Sequence, residues 1–215
     1  MNVKLVKQSG STLDIVNAAR ISFGKQIESM NDKDWKLIEY LWTHKHTSPF
    51  RHIHFTFHIR APIFILRQWM KHQVGCSWNE ISGRYVEFEH SFYHPQKWRS
   101  KPDQSVKQGS GQVLDDETQS DCSTIYQNTI DSLFDTYKHL LTIGLCKEQA
   151  RMILPTSLMS ECYWTCSFQA LIHFLKQRTD PHAQKEIAEY AWTIVDLLNE
   201  DEDMKRLMKI CGFNS

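Results

Sequence analysis

The sequence predicts an α+β fold from three observations. His52 to Ile59 alternates strictly, with Ile53, Phe55, Phe57 and Ile59 on one face and His52, His54, Thr56 and His58 on the other, the period of a half-buried strand. Apolar residues recur at helical spacing in several other stretches. One long polar segment, Ser100 to Gly111, runs among the helices and few strands without any internal repeat, a pattern that fits one α+β domain rather than a repeat array.

Ile15, Val16 and Ala19 space a helix over Asp14 to Ile21, and Leu37, Ile38 and Leu41 space another over Asp34 to His44. After the strand to Ile59, Pro62 stands where a first helical turn tolerates proline, so Ile63 to Lys71 reads as a helix. Gly75 to Gly83 reads as a loop or turn, and Arg84 to Glu89 as a strand. Ser100 to Gly111, rich in Ser, Gln, Gly and Lys, reads as a mobile surface loop. Thr118 to Ile143 is helical and stops at Gly144, and Glu148 to Leu154 is a short helix ended before Pro155. Thr179-Asp180-Pro181 reads as an N-cap opening a helix to about Asn199, whose stripe Ile187, Tyr190, Ala191, Ile194, Leu197 and Leu198 is ordinary helix core or a subunit contact.

The 215 residues suit a single domain, 1–215, long enough to bury a core. With 25 Lys and Arg against 25 Asp and Glu, the formal charge is zero, which speaks against a non-specific nucleic-acid binder. Met1 to Val6 lacks the apolar core of a signal peptide, and no apolar run approaches the ~20 residues of a membrane span. The six scattered cysteines fit reduced thiols in a cytoplasmic setting.

The densest polar stretch is Arg67-Gln68-Trp69-Met70-Lys71-His72-Gln73, followed by Asn79-Glu80-Ile81-Ser82-Gly83-Arg84-Tyr85. On a helix, Arg67 and Lys71 stand four residues apart and project two cations from one face toward a phosphate. Gly83 lets backbone N–H groups approach a ligand, Arg84 supplies a bidentate anion contact, and Glu80 accepts from a ribose or ring N–H. The plain alternative is a solvated helix followed by a surface turn.

These residues resemble the flavin-dependent thymidylate synthases, whose motif is Arg-His-Arg, seven residues, then Ser-x-Arg, with a Gln earlier on the same helix. Here Gln68-x-x-Lys71-His72-Gln73 precedes Ser82-Gly83-Arg84 by eight residues. The resemblance extends to His46-Thr47-Ser48-Pro49-Phe50, to Ala61-Pro62-Ile63-Phe64, to Ala150–Pro155 and to Phe174–Gln184, and so runs from about Asp14 to Tyr190. It implies a small antiparallel sheet packed with several helices, a homotetramer, and conversion of dUMP to dTMP with methylenetetrahydrofolate and NADPH through bound FAD. It also implies that Gln68, Lys71, Glu80, Ser82, Gly83, Arg84 and Arg151 hold dUMP. Arg178 would polarise the uracil ring as the catalytic residue, and Ser48, Lys71, His72 and Glu80 would lie against FAD. A guanidinium set against a developing ring anion is electrostatic catalysis.

The departures from that pattern are specific. Lys71 and Gln73 replace the two motif arginines, and the loop to Ser82 is one residue longer. Arg51 stands where many members have Glu, and Ser167, Gln169 and His173 stand where the family often places Asn, Arg and Asn against the flavin. The dUMP half is thus largely intact and the flavin half substituted, which favours revised FAD contacts with Arg51 restoring a charge lost at Gln73. The same departures fit two other readings: C5 methylation or hydroxymethylation of a different pyrimidine nucleotide such as UMP or a dCMP derivative, or a non-catalytic nucleotide-binding protein. His52, His54 and His58 present a zinc-like spacing on one strand face, but no His-Glu-x-x-His accompanies them and no metal is expected. Cys162 and Cys166 read as core, and Cys76 as a passive residue rather than the thiolate nucleophile of the cysteine-dependent thymidylate synthases.

Overall fold

The computed structural model describes residues 2–103 and 109–213. The chain forms β1 (Asn2–Ser9), α1 (Thr12–Arg20), α2 (Asp32–Thr43), β2 (His54–Pro62), α3 (Ile63–Trp69), β3 (Cys76–Glu80), α4 (Asp116–Thr142), α5 (Lys147–Ala150), β4 (Met159–Ser167), α6 (Phe168–Arg178), α7 (Lys185–Leu198) and α8 (Glu202–Ile210). Single 3-10 segments occupy Ile21–Phe23, Ser48–Arg51 and Arg151–Ile153. The four strands make one sheet in the order β1-β2-β4-β3. Its register is antiparallel in the β2–β4 and β4–β3 pairs. Thr56 meets the hydroxyl of Thr165 at 2.9 Å and Phe57 stacks on Trp164 across β2 and β4. Ser167 N–H donates to Gly75 O at 3.1 Å and Trp78 stacks on Trp164 across β3 and β4.

The chain divides into two compact units. The first comprises Met1–Ile59, Trp69–Asn79 and Cys162–Ser215, and the second Arg60–Gln68 and Glu80–Glu161. In the first unit the alternation on β2 does what its period requires: Phe55, Phe57 and Ile59 are fully buried while His54 is exposed. Trp69 and Trp164, both fully buried, anchor an aromatic core with Phe174 and Tyr190. Trp69 and Phe174 lie parallel at 4.7 Å, and Trp164 meets Trp69 edge-on at 5.3 Å. In the second unit Phe92, Ile130 and Leu158 form the core, with Ile63, Phe88, Tyr126, Phe134 and Leu154 packed on it. The long helix α4 begins where Asp115 accepts from Thr118 N–H at 2.9 Å, and ends at Gly144, whose φ of +94° supplies the left-handed turn.

Several expected elements are corrected. The stretch from Gly75 to Gly83, read as a loop, carries β3, because Cys76 and Trp78 alternate inward with Ser77 and Asn79 outward. Arg84 to Glu89, read as a strand, is not one: Tyr85 N–H and Val86 N–H both donate to Ser82 O, at 2.9 and 3.1 Å, and close a turn. The helix expected to reach Lys71 stops at Trp69, so Lys71 leaves the helix and the spacing to Arg67 loses its meaning. Thr179 ends α6 rather than opening α7: its N–H and hydroxyl both bond Leu175 O at 2.8 Å, and α7 begins only at Lys185. The reading of Ser100 to Gly111 as a mobile loop falls in part on residues outside those described; at its ends Ser100 N–H donates to Gln112 O at 2.8 Å and Gly111 N–H to Ser100 O at 2.8 Å.

Candidate functional site

In the first unit the turn after α3, the 3-10 segment Ser48–Arg51, the start of β3 and the length of α6 surround a cavity of about 750 Å³. Its charged lining is one-sided: Arg51, Lys71, Lys176 and Arg178 face it and, among the described residues, no carboxylate does. In a chain of zero net charge this is a local concentration of cations, the electrostatic form of an anion site. Neutral donors and acceptors complete it, among them Thr47, Gln73, Ser167, Gln169 and Gln177.

Two of these cations are held in place by neutral acceptors. Arg51 Nε donates to Gln169 Oε1 at 2.5 Å. Arg178 Nε donates to His72 Nε2 at 3.1 Å. His72 is pulled down to about 4 by burial, then by the charge of Arg178 and by His173, so its imidazole is neutral and able to accept. Burial also pulls Arg178 below its ordinary value. Lys176 rides over the ring of Trp42 with its ammonium 5.0 Å from the centroid. Cys76 lines the same cavity, but burial pushes its thiol up, the opposite of what an attacking thiolate needs.

In the second unit a smaller pocket of about 320 Å³ is lined by Glu80, Ser82 and Arg151 with Ile63, Ile81, Phe88, Leu154 and Leu158. The Glu80 carboxylate accepts from Ser160 Oγ at 2.6 Å, which fixes it at the end of β3. Gly83 is buried beside this pocket, and Arg84 is exposed, its Nε donating to Glu148 Oε2 at 3.1 Å.

The structure therefore gathers Lys71, His72 and Arg178 at the cavity of the first unit, and Glu80, Ser82 and Arg151 at the pocket of the second. Gln68 lies half-buried near the end of α3 in the second unit. Ser48 is exposed at the start of its 3-10 segment and does not line the cavity; its neighbour Thr47 does. The sequence reading did not single out Thr47, Lys176 or Gln177. His173, Lys176 and Gln177 share one face of α6 at helical spacing, a signal available once Phe168–Arg178 is recognised as a helix. His52 lies outside β2, the ring of His58 packs on Tyr163 at 5.4 Å, and among the described residues no three His, Cys, Asp or Glu side chains are placed to hold a metal ion. Cys162 and Cys166 are buried core thiols, and all six cysteines are free. No helix among the described residues is long and apolar enough to cross a membrane.

Comparison with known proteins shows the family of the chain. The family model described as thymidylate synthase complementing protein matches residues 4–201. A flavin-dependent thymidylate synthase of Kosmotoga olearia is 43% identical over 195 residues, 91% of this chain and 84% of that protein. One from Thermus thermophilus is 40% identical over 198 residues, 92% of this chain and 71% of that protein. Among solved structures, the UMP/dUMP methylase PolB from Streptomyces cacaoi bound with 5-Br UMP superposes with a TM-score of 0.84 at 31% identity, covering 97% of this chain and 94% of that one. The same enzyme bound with 5-Br dUMP gives 0.80 at 35% identity, covering 93% and 90%.

Proposed function

Because the chain belongs to the flavin-dependent thymidylate synthase family, we propose that it methylates dUMP to dTMP with methylenetetrahydrofolate as carbon donor, NADPH as reductant and FAD as bound cofactor. The observation that carries this reading is the cavity whose charged lining is Arg51, Lys71, Lys176 and Arg178 without a carboxylate. Of that set Arg51, Lys71 and Lys176 fit the pyrophosphate of FAD, which needs cations and neutral donors and is repelled by acids. The flavin's contribution, when bound, is to relay the one-carbon unit and the reducing equivalents to C5 of the pyrimidine.

The chain's own residues do the rest. Gln68, Lys71, Glu80, Ser82, Gly83, Arg84 and Arg151 bind dUMP, and Arg151 supplies charge to a pocket otherwise walled by apolar side chains. Lys71 and His72 line the flavin cavity, and Ser48 and Glu80 complete the flavin contacts that the family pattern assigns. Arg178 faces the uracil ring and offsets the negative charge that develops there, at a partly buried position where a fixed guanidinium acts more strongly than in water. The free enzyme is a homotetramer of the cytoplasm, readable by light scattering on the purified protein. A yellow protein that forms dTMP from dUMP, and an Arg178→Ala variant that stays folded and flavin-loaded but inactive, are the expected results. A colourless protein that also fails to take up added FAD overturns the reading in favour of a non-catalytic nucleotide binder.

A second reading has its own observation. The likeness to PolB at TM-scores of 0.84 and 0.80 is to an enzyme whose described substrates include UMP as well as dUMP. Product analysis across dUMP, UMP and dCMP separates the two: methylated UMP at a rate near that of dUMP supports the wider specificity, and dTMP alone excludes it.

A further inference from the structure

We propose that His72 is the positioning residue for Arg178, holding the guanidinium through Nε so that both terminal amino groups are presented to the pyrimidine ring. The inference rests on the reading of Arg178 given above and adds what orients it. The contact is direct, Arg178 Nε to His72 Nε2 at 3.1 Å, between residues 106 positions apart in the chain.

His72 is itself held firmly. Its backbone N–H donates to Trp69 O at 3.0 Å, and its ring meets Phe174 edge-on at 5.1 Å. Phe174 in turn lies parallel to the fully buried Trp69 at 4.7 Å. The imidazole is thus mounted on the rigid aromatic core of its unit rather than on a loop tip. Its position restrains the Nε edge of the guanidinium of Arg178, a residue that lines the cavity.

The chemistry of the acceptor matters as much as its place. A carboxylate would orient an arginine equally well but would neutralise it, and a neutralised guanidinium stabilises a ring anion poorly. Among the described residues Arg178 makes no ion pair, and its hydrogen-bond partner is an imidazole that burial and two neighbouring groups keep uncharged. A neutral acceptor orients the cation while leaving its whole charge for the substrate. His72 accepts through Nε2, which puts its own proton on Nδ1.

The test is a double-mutant cycle on the flavin-loaded enzyme, using His72→Ala, His72→Gln, Arg178→Ala and the pair His72→Ala with Arg178→Ala. Three quantities are read: FAD Kd by fluorescence quenching, dUMP Kd by equilibrium dialysis, and kcat. Losing the orientation of one group is expected to lower kcat of His72→Ala by about 10- to 100-fold. His72 also lines the flavin cavity, so kcat is read at saturating FAD, where the loss should persist whatever happens to FAD Kd. Gln, which keeps a neutral acceptor, should recover most of the loss, and His72→Ala should raise dUMP Kd severalfold in the parent but by less than about twofold in the Arg178→Ala background. A His72→Ala enzyme with normal kcat, a loss confined to FAD affinity, a Gln variant as impaired as Ala, or additive effects on dUMP Kd would each overturn the proposal. Full turnover by Arg178→Ala instead sinks the prior reading of Arg178, a result recognisable by itself.

Discussion

Replacing Gly83 with Ala tests whether the Ser82-Gly83-Arg84 turn is built to approach a ligand pocket. A Cβ at Gly83 would lie 2.2 Å from Cε2 and 3.0 Å from Cζ of Phe88, and 3.1 Å from Cδ of Arg151. The Arg151 stem can swing aside. Phe88 is less free, because its backbone N–H donates to the Tyr137 hydroxyl at 3.1 Å and its ring packs on the Phe92, Ile130 and Leu158 core. The backbone of Gly83 is not left-handed, so the whole cost is steric overpacking, about 1–3 kcal/mol. For a chain of this length each kcal/mol moves Tm by about 2–4 °C, so Gly83→Ala should lower it by about 2–12 °C. Phe88 and Arg151 also line the pocket of about 320 Å³ with Glu80 and Ser82, so their displacement should weaken dUMP binding as well. Thermal unfolding by circular dichroism and dUMP titration read the two effects. Adding Phe88→Leu should relieve the clash, so that Gly83→Ala costs less in that background than in the parent. An unchanged Tm together with an unchanged dUMP Kd would falsify the steric account.

Three further outcomes follow from the cavity of the first unit. Arg51→Ala removes a charge-assisted donor from the lining and should weaken FAD binding roughly 10- to 100-fold in a fluorescence titration; an unaltered Kd excludes Arg51 from the flavin contacts. Cys76→Ser should keep turnover within about threefold, because burial raises the thiol rather than activating it, and an inactive serine enzyme would restore the nucleophile reading. His72 titrates at about 4 in the folded chain against 6.5 ordinarily, so the unfolded chain binds its proton more readily between those values. Its contribution to stability is complete above pH 6.5 and drains away as pH falls toward 4; His72→Gln should therefore lose less stability between pH 7 and pH 5 in urea unfolding, and an equal or steeper loss contradicts the assignment.

What the sequence made legible, and what it hid, follows from range. The strand β2 declares itself because Phe55, Phe57 and Ile59 alternate with hydrophilic neighbours, and burial on one face is a local property. β4 escaped notice because Cys162, Trp164 and Cys166 alternate with Tyr163 and Thr165, residues polar enough to face water yet apolar enough to blur the pattern. β3 was obscured by its position at the end of the sheet, where Ser77, Asn79 and Glu80 resemble loop chemistry and only Cys76 and Trp78 report the inner face. Thr179 misled for a different reason: a hydroxyl beside Asp-Pro is as good a helix stop as a helix start, and only the bond to Leu175 O tells which. The site divides along the same line. Motif resemblance finds His72 and Arg178 separately, one in each half of the chain, but their contact spans 106 residues and no local pattern encodes it. Nor does composition reveal the property on which the chemistry turns. With 25 acidic side chains to match 25 basic ones, nothing in the order of residues says that four cations share a cavity that no carboxylate among the described residues lines. That exclusion is what leaves Arg178 oriented but not neutralised. A cavity with one carboxylate in reach of that guanidinium would have the same motif and much weaker electrostatic catalysis.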